Sequence, residues 1–242
     1  TLVAVEGTVS SPEGIRSPSI AIGADELPVI SYITGDDALK VIHCDDDACS
    51  RATVTTVDAG DGSYVPDCAI AIGTDGLPLI SYGGYDYTSE DRNVLRIAHC
   101  SDAACSAPAT ITRVDGTPGE IQFVSMAIGT DGLPIVAYMD RIANDLKVSR
   151  CHDAACTSAT TINLDSAGVV GWRPSIAIGA DGLPVISYGV GALGQLELDD
   201  LKVAHCSDLA CTSATFSTVD PGDVYTHTSI AVGPDGLPVI AY

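Results

Sequence analysis

Short runs in which apolar residues alternate with small or polar ones punctuate the whole chain. Ser19-Ile20-Ala21-Ile22-Gly23 is followed, past a turn, by Pro28-Val29-Ile30-Ser31-Tyr32, and the same pair returns at Ser175 to Gly179 and Pro184 to Tyr188. A two-residue period is the mark of a half-buried β-strand. The link between the two runs is itself repeated, as Asp25-Glu26-Leu27-Pro28, Asp75-Gly76-Leu77-Pro78, Asp131-Gly132-Leu133-Pro134, Asp181-Gly182-Leu183-Pro184 and Asp235-Gly236-Leu237-Pro238, at steps of 50, 56, 50 and 54 residues. Glycine there supplies the positive φ of a tight hairpin turn, so each pair reads as strands A and B. A third run, with Leu-Lys-Val-Ile-His-Cys at 39–44 and its counterparts at 95–100, 146–151 and 201–206, gives strand C. A Thr-rich run ending in Val57-Asp58, Val114-Asp115, Leu164-Asp165 or Val219-Asp220 gives strand D. No segment carries a 3.6-residue amphipathic period, so helix is expected to be absent.

Four-stranded antiparallel units of about 50 residues are the arithmetic of a β-propeller. The rival, an open β-solenoid, has shorter rungs without a regular hairpin pair. The fold expected is therefore an all-β, five-bladed propeller forming a single domain over residues 1–242, with repeats at 19–68, 69–124, 125–174 and 175–228. The closing blade would combine 229–242 with 1–7, since Thr1-Leu2-Val3-Ala4-Val5-Glu6 reads as a D strand. That blade has no recognisable C strand: it is three-stranded, or the chain is part of something longer. The repeated Ile-Gly-x-Asp-Gly-Leu-Pro-Val-Ile-Ser-Tyr, followed by Leu-Lys-Val-x-His-Cys-x-Asp-x-x-Cys, resembles a repeat of secreted bacterial β-propeller proteins of the myxobacterial type, whose function is unknown. The resemblance covers nearly the whole chain and implies the fold; it is silent on activity.

Nine cysteines fall as four equally spaced pairs, Cys44/Cys49, Cys100/Cys105, Cys151/Cys156 and Cys206/Cys211, with Cys68 left over. Each pair flanks a C–D hairpin loop, where two strand ends come close enough for a disulfide, and its main effect there is expected to be the pinning of a hairpin tip. The competing reading, a metal held by His-Cys-x4-Cys, suffers because His43 and Cys44 are consecutive on a strand and point to opposite faces. His99 and His205 repeat His43, whereas the third unit has Arg150 there and moves its histidine to His152, as a framework position tolerates. Cys68 is either a buried thiol or a link to another chain. Paired disulfides imply an oxidising compartment: periplasm, cell surface or medium. Thr1 is no initiator residue, which fits a removed export signal or a start further upstream.

Charge excludes more than it identifies. With 32 acidic and 11 basic side chains the net charge is −21, which argues against nucleic acid and against an anionic membrane surface. No apolar stretch approaches a membrane span. Walker and phosphate-loop motifs are lacking, so no cofactor is expected. Calcium is the one ion that the acidic loops could take: Asp36, Asp37, Asp86, Glu90, Asp91, Asp140, Asp145, Glu197, Asp199 and Asp200 lie in B–C loops, and Asp58, Asp61, Asp220 and Asp223 lie near D–A loops. No EF-hand or nonapeptide motif assigns it, and a solvated acidic face is the favoured reading.

The A–B and C–D loops, on one face of a propeller, are near copies of one another, whereas the D–A and B–C loops on the opposite, top face differ. Framework repeats and function breaks symmetry, so a binding site is expected on top. Five of the twelve aromatics, Tyr32, Tyr82, Tyr138, Tyr188 and Tyr242, are repeated packing positions in strand B. Tyr64, Phe123, Trp172 and Tyr225 fall in D–A loops and Tyr85 and Tyr87 in the longest B–C loop, where they could stack on sugars or staple their loops to neighbouring blades. His227 is the lone histidine outside the framework of the C-strand region. Five-bladed propeller glycosidases place paired carboxylates on or beside the inner strands. Here strand A holds none; Asp67, Glu120 and Asp223 are the nearest, and the inner serines repeat without an assigned histidine. The expected function is a noncatalytic binding or scaffold module for a glycan or an extracellular protein. The alternatives are a polysaccharide hydrolase and a structural subunit joined to other copies, through Cys68 among other contacts.

Overall fold

A computed structural model describes residues 14–60, 67–84, 94–115, 120–191, 198–224 and 227–242. The first sheet is β1 (Ile15–Ile22), β2 (Pro28–Thr34), β3 (Leu39–Cys44) and β4 (Ala52–Asp58). The second is β5 (Cys68–Ile72), β6 (Pro78–Gly84), β7 (Val94–His99) and β8 (Thr110–Arg113), and the third is β9 (Ile121–Ile128), β10 (Pro134–Asp140), β11 (Asp145–Cys151) and β12 (Ala159–Asp165). The fourth comprises β13 (Val169–Ile178), β14 (Pro184–Gly191), β15 (Leu198–Cys206) and β16 (Ala214–Val224); β17 (Ser229–Val232) and β18 (Pro238–Ala241) form a two-stranded fifth. Every pairing is antiparallel between sequence neighbours. The expected A-B-C-D units are thus present, and the described residues contain no helix. The N-terminal strand assigned to a closing blade lies outside the described residues.

The A–B turns behave as the glycine pattern requires, with Gly76, Gly132, Gly182 and Gly236 at φ of 79 to 83°. The first unit is the exception: Glu26 holds φ 67° without that freedom. A carboxylate shapes each turn, for Asp25, Asp75, Asp131, Asp181 and Asp235 all accept the N–H two residues on.

The inner strands pack in series, β1 on β5, β5 on β9, β9 on β13 and β13 on β17. Alternate residues of each sheet interdigitate with the next: Val29, Ile33, Leu39 and Val41 meet Cys68, Ile70, Ile80, Tyr82 and the Cys100–Cys105 disulfide. The second interface repeats this down to the Cys151–Cys156 disulfide, and the third down to Cys206–Cys211. Hydrogen bonds lock what burial brings together. Ser19, Ser125 and Ser175 Oγ accept the N–H of Ile70, Ile176 and Ile230 on the next inner strand at 3.1 to 3.2 Å. The strand-B tyrosines Tyr82, Tyr138, Tyr188 and Tyr242 donate to Asp58, Asp115, Asp165 and Asp220 at the end of the preceding strand D. Arg96, Lys147 and Lys202 on strand C stand 3.6 to 3.8 Å from the first three of those carboxylates.

All four expected disulfides form: Cys44–Cys49, Cys100–Cys105, Cys151–Cys156 and Cys206–Cys211, with Cα separations of 4.8 to 5.0 Å. Besides closing the hairpin tips, three of them take part in the packing between sheets. Cys105, Cys156 and Cys211, the loop-side partners in the second, third and fourth units, are as buried as Cys100, Cys151 and Cys206, because each bridge packs into the apolar interface with the preceding sheet. Only Cys49 in the first unit is half-buried. The second cysteine of each pair adopts positive φ, and Asp46, Asp102, Asp153 and Asp208 inside the loops accept the N–H and hydroxyl of Ser50, Ser106, Thr157 and Thr212. The histidine before each first cysteine is also framework. His43, His99 and His205 Nε2 lie 2.8 Å from Asp25, Asp75 and Asp181, and Arg150 binds Asp131 in the same place. Four disulfides imply an oxidising compartment, extracellular or periplasmic.

Candidate functional site at the mouth of the inner strands

Two residues before each Ser-Ile-Ala-Ile-Gly or its equivalent, the repeat breaks completely. The five corresponding residues are Ser17, Asp67, Phe123, Arg173 and His227: a hydroxyl, a carboxylate, an aromatic ring, a guanidinium and an imidazole. The backbone is special at the same point. Ser17, Phe123 and Arg173 have φ of 49, 57 and 44°, a region that bulky side chains rarely enter. Strand pairing slips beside them, between Arg16 and Ser19 in β1, opposite Ala137 and Met139 in β9, and between Trp172 and Ser175 in β13. A bulge of this kind re-aims a side chain, and such bulges gather next to binding and active sites.

The five units converge here. Asp67, Phe123, Val124, Arg173, Pro174 and Thr228 line a recess of about 120 Å³ contributed by the second, third, fourth and fifth units. The first unit reaches it through Ser17, whose Oγ donates to Asp67 Oδ1 at 2.8 Å. The other Asp67 oxygen accepts the Phe123 N–H at 2.9 Å, so both oxygens of this carboxylate are already hydrogen-bonded. The Arg173 guanidinium stacks on Phe123 at 4.4 Å from the ring centre, a cation–π contact that spends one face of the group. Whereas Arg16, Arg96, Arg141, Lys147, Arg150 and Lys202 each face a carboxylate, Arg173 has no ion-pair partner among the described residues. His227 is exposed; the desolvation of its ring and the nearby Arg173 charge hold its pKa below the usual 6.5.

The residues expected from sequence are only partly gathered. Phe123, Trp172 and His227 come together around Arg173, with Phe123 and Trp172 ring centres 5.5 Å apart. Trp172 also packs against Leu201 of the fourth sheet, on which Ile240 of the fifth sheet packs as well. Tyr64, Tyr85, Tyr87 and Tyr225 lie outside the described residues, as do Asp61, Asp86, Glu90, Asp91 and Glu197. Glu120 is drawn away to Arg141 at 3.1 Å and Gln122 at 2.8 Å. Ser17, Asp67 and Arg173 complete the set, and alignment of the repeats on strand A, read two residues upstream, is the signal that finds them.

One further expectation needs correction. Asp140 and Asp145 do not belong to a solvated acidic face. Asp140 is 2% exposed and bound to the buried Lys147 at 2.8 Å, and Asp145 accepts from Asn163. Of the two readings of Cys68, the buried thiol is the one found: it is 4% exposed, its Sγ–H donates to the Ser17 carbonyl at 3.2 Å, and burial pushes the thiol up to about 12. Thr228 makes the same bond to the Arg173 carbonyl in the fifth unit, so Cys68 is a framework position. Among the described residues no three His, Cys, Asp or Glu side chains are gathered to hold a metal ion.

No protein-family model matches the chain, and no curated protein does so. Solved structures do. The chain is similar to a Dyadobacter fermentans protein of unknown function (TM-score 0.65, 12% identity, 94% of this chain and 75% of that one). It is similar also to an α-L-arabinanase from Penicillium chrysogenum complexed with arabinobiose (0.64, 10%, 95% and 75%). A third is an α-L-arabinofuranosidase from Lactobacillus brevis (0.61, 11%, 95% and 83%). At such identities the likeness concerns the fold alone, and the fold is β-propeller-like.

Proposed function

We propose that the chain is a noncatalytic recognition module of an extracellular or periplasmic compartment, binding a polysaccharide at the mouth of its five inner strands, one strand per blade. The observation that carries this reading is the replacement of a repeated framework by five unlike side chains at one ring of homologous positions. Phe123 offers a face for a sugar ring, and Arg173, Ser17 and His227 offer polar groups for its hydroxyls. The structural neighbours named for acting on arabinose-containing glycans support carbohydrate as the ligand class.

The second reading, a glycoside hydrolase, draws on the same neighbours and on Asp67 at the recess. It needs a second carboxyl within roughly 5 to 9.5 Å to serve as the other member of the acid–base or nucleophile pair. Among the described residues Asp67 is the one carboxylate lining the recess, and its oxygens are already hydrogen-bonded. Calorimetry and reducing-end assays with arabinan and galactan oligosaccharides separate the readings. Binding without turnover, weakened at least tenfold by Phe123→Ala and by Arg173→Ala, is the expected result. Sugar release that disappears in Asp67→Asn would establish the hydrolase, and no binding to any glycan would overturn both.

A further inference from the structure

Eleven basic side chains share this molecule with 32 acidic ones, so a cation beside the core ordinarily meets a carboxylate. Arg173 differs: the recess holds its guanidinium in place and gives it no ion-pair partner among the described residues. Three features hold it. The backbone bulges between Trp172 and Ser175 and takes φ 44° at Arg173 itself. Thr228 Oγ1 donates to the Arg173 carbonyl at 3.0 Å, which ties the bulge to the fifth unit. The guanidinium lies over the Phe123 ring, 4.4 Å from its centre, and the Trp172 ring backs Phe123 at 5.5 Å. Stacking occupies a face of a guanidinium and leaves its in-plane N–H donors, the edge that grips a carboxylate through two parallel bonds.

Asp67 lines the same recess and carries the opposite charge, yet it is turned elsewhere. Ser17 Oγ donates to one of its oxygens at 2.8 Å and the Phe123 N–H to the other at 2.9 Å, and it forms no ion pair with Arg173. The recess thus combines an acceptor that is already bonded with a cationic donor that is not. Its volume of about 120 Å³ suits one small charged group of a ligand whose remainder lies at the mouth. We propose that the ligand is an acidic glycan, in which the carboxylate of a uronic acid residue pairs with Arg173 while its sugar ring lies against Phe123. This rests on glycan recognition at the recess and names the kind of sugar recognised. A neutral sugar leaves the ionic donor without its partner, and a site built around such a donor discriminates against it. The net charge of −21 opposes an anion at long range, but at about 0.15 M salt that repulsion is screened beyond about 8 Å, whereas a contact pair persists.

Calorimetry at that salt concentration with matched oligosaccharides tests the proposal. Galacturonan and glucuronoxylan fragments are compared with the same fragments after methyl esterification, which removes the charge and keeps the rings. The acidic forms are expected to bind at least about tenfold more tightly than the esters. Arg173→Gln, its fold checked by circular dichroism, should bind both forms equally. Arg173→Lys keeps the charge without the paired donors and should retain part of the preference. Esters bound as tightly as the acids by the wild-type chain, or a preference unchanged in Arg173→Gln, would overturn the proposal and leave glycan recognition standing. Tighter binding of sulfated fragments than of uronates would overturn the assignment to a carboxylate. Absence of binding to every glycan would overturn the proposal together with the recognition on which it rests.

Discussion

At the scale of single residues, the repeat allows the same position to be compared in different surroundings. Tyr138 donates to the buried Asp115 at 2.7 Å in the third unit, and Tyr242 donates to Asp220 at 2.6 Å on an exposed face in the fifth. Burial and the facing carboxylate push the Tyr138 hydroxyl well above its usual titration range, so it remains a donor at every accessible pH. Tyr138→Phe removes a bond to a buried charge and is expected to cost about 1.5 to 3 kcal/mol, measured by urea denaturation. Tyr242→Phe should leave the melting temperature unchanged, because water replaces the lost partner. The strand-B tyrosines were legible from sequence because they recur once per unit at the same place in strand B. Ser17, Asp67, Phe123, Arg173 and His227 were not seen as a set, because a site whose members are all different carries no periodic signal. Asp140 and Asp145 misled for another reason: an aspartate in a loop reads as solvated, and the buried Lys147 that pairs with Asp140 is supplied by strand C.

At the scale of the element, the C–D hairpin is the part of the fold whose polar groups are satisfied most locally. Its disulfide closes the loop and its aspartate takes up the loop's donors, whereas strands A and B find their partners on the neighbouring blade. The tip aspartates are held below the usual 3.8 by specific donors: the Ser50 hydroxyl for Asp46, the Ser106 N–H for Asp102, and the Thr157 and Thr212 hydroxyls for Asp153 and Asp208. A carboxyl whose folded pKa is depressed contributes stability above its unfolded pKa and loses it as pH falls through the folded value. These loops are therefore expected to be indifferent to pH between 7 and about 5 and to loosen only below about 4. Carboxyl-carbon NMR should show midpoints under 3.8 for all four; a midpoint at or above that value would remove the donor bonds from the account. The hairpin was readable in advance because cysteine spacing, strand period and turn chemistry all point the same way. The burial of Cys156 and Cys211 was not, because spacing reports which cysteines can bridge and not which sheet lies against the bridge. The exchange of histidine for Arg150 shows that this position serves the A–B turn aspartate, a role that spacing alone left unstated.

At the scale of the whole molecule, each blade is joined to the next by a short set of contacts: interleaved apolar faces, one inner serine bond where serine is present, and one tyrosine–carboxylate bond. The propeller-like architecture was visible in the repeat; which sheet covers each apolar face was not, because strand patterns say which face is apolar and not what covers it. The uniformity of the joints has a mechanical consequence. A molecule stretched from its two ends meets nearly equal obstacles in series, so it should yield blade by blade in the manner of a ratchet, not all at once. Each step releases roughly 50 residues, or on the order of 170 Å of contour, less the roughly 17 Å that a disulfide keeps folded inside its loop. Optical-tweezer traces under oxidising conditions should show these short steps, and a reductant should lengthen the steps of the four disulfide-bearing units by the same increment; a single large rip would mean that the blades share their load.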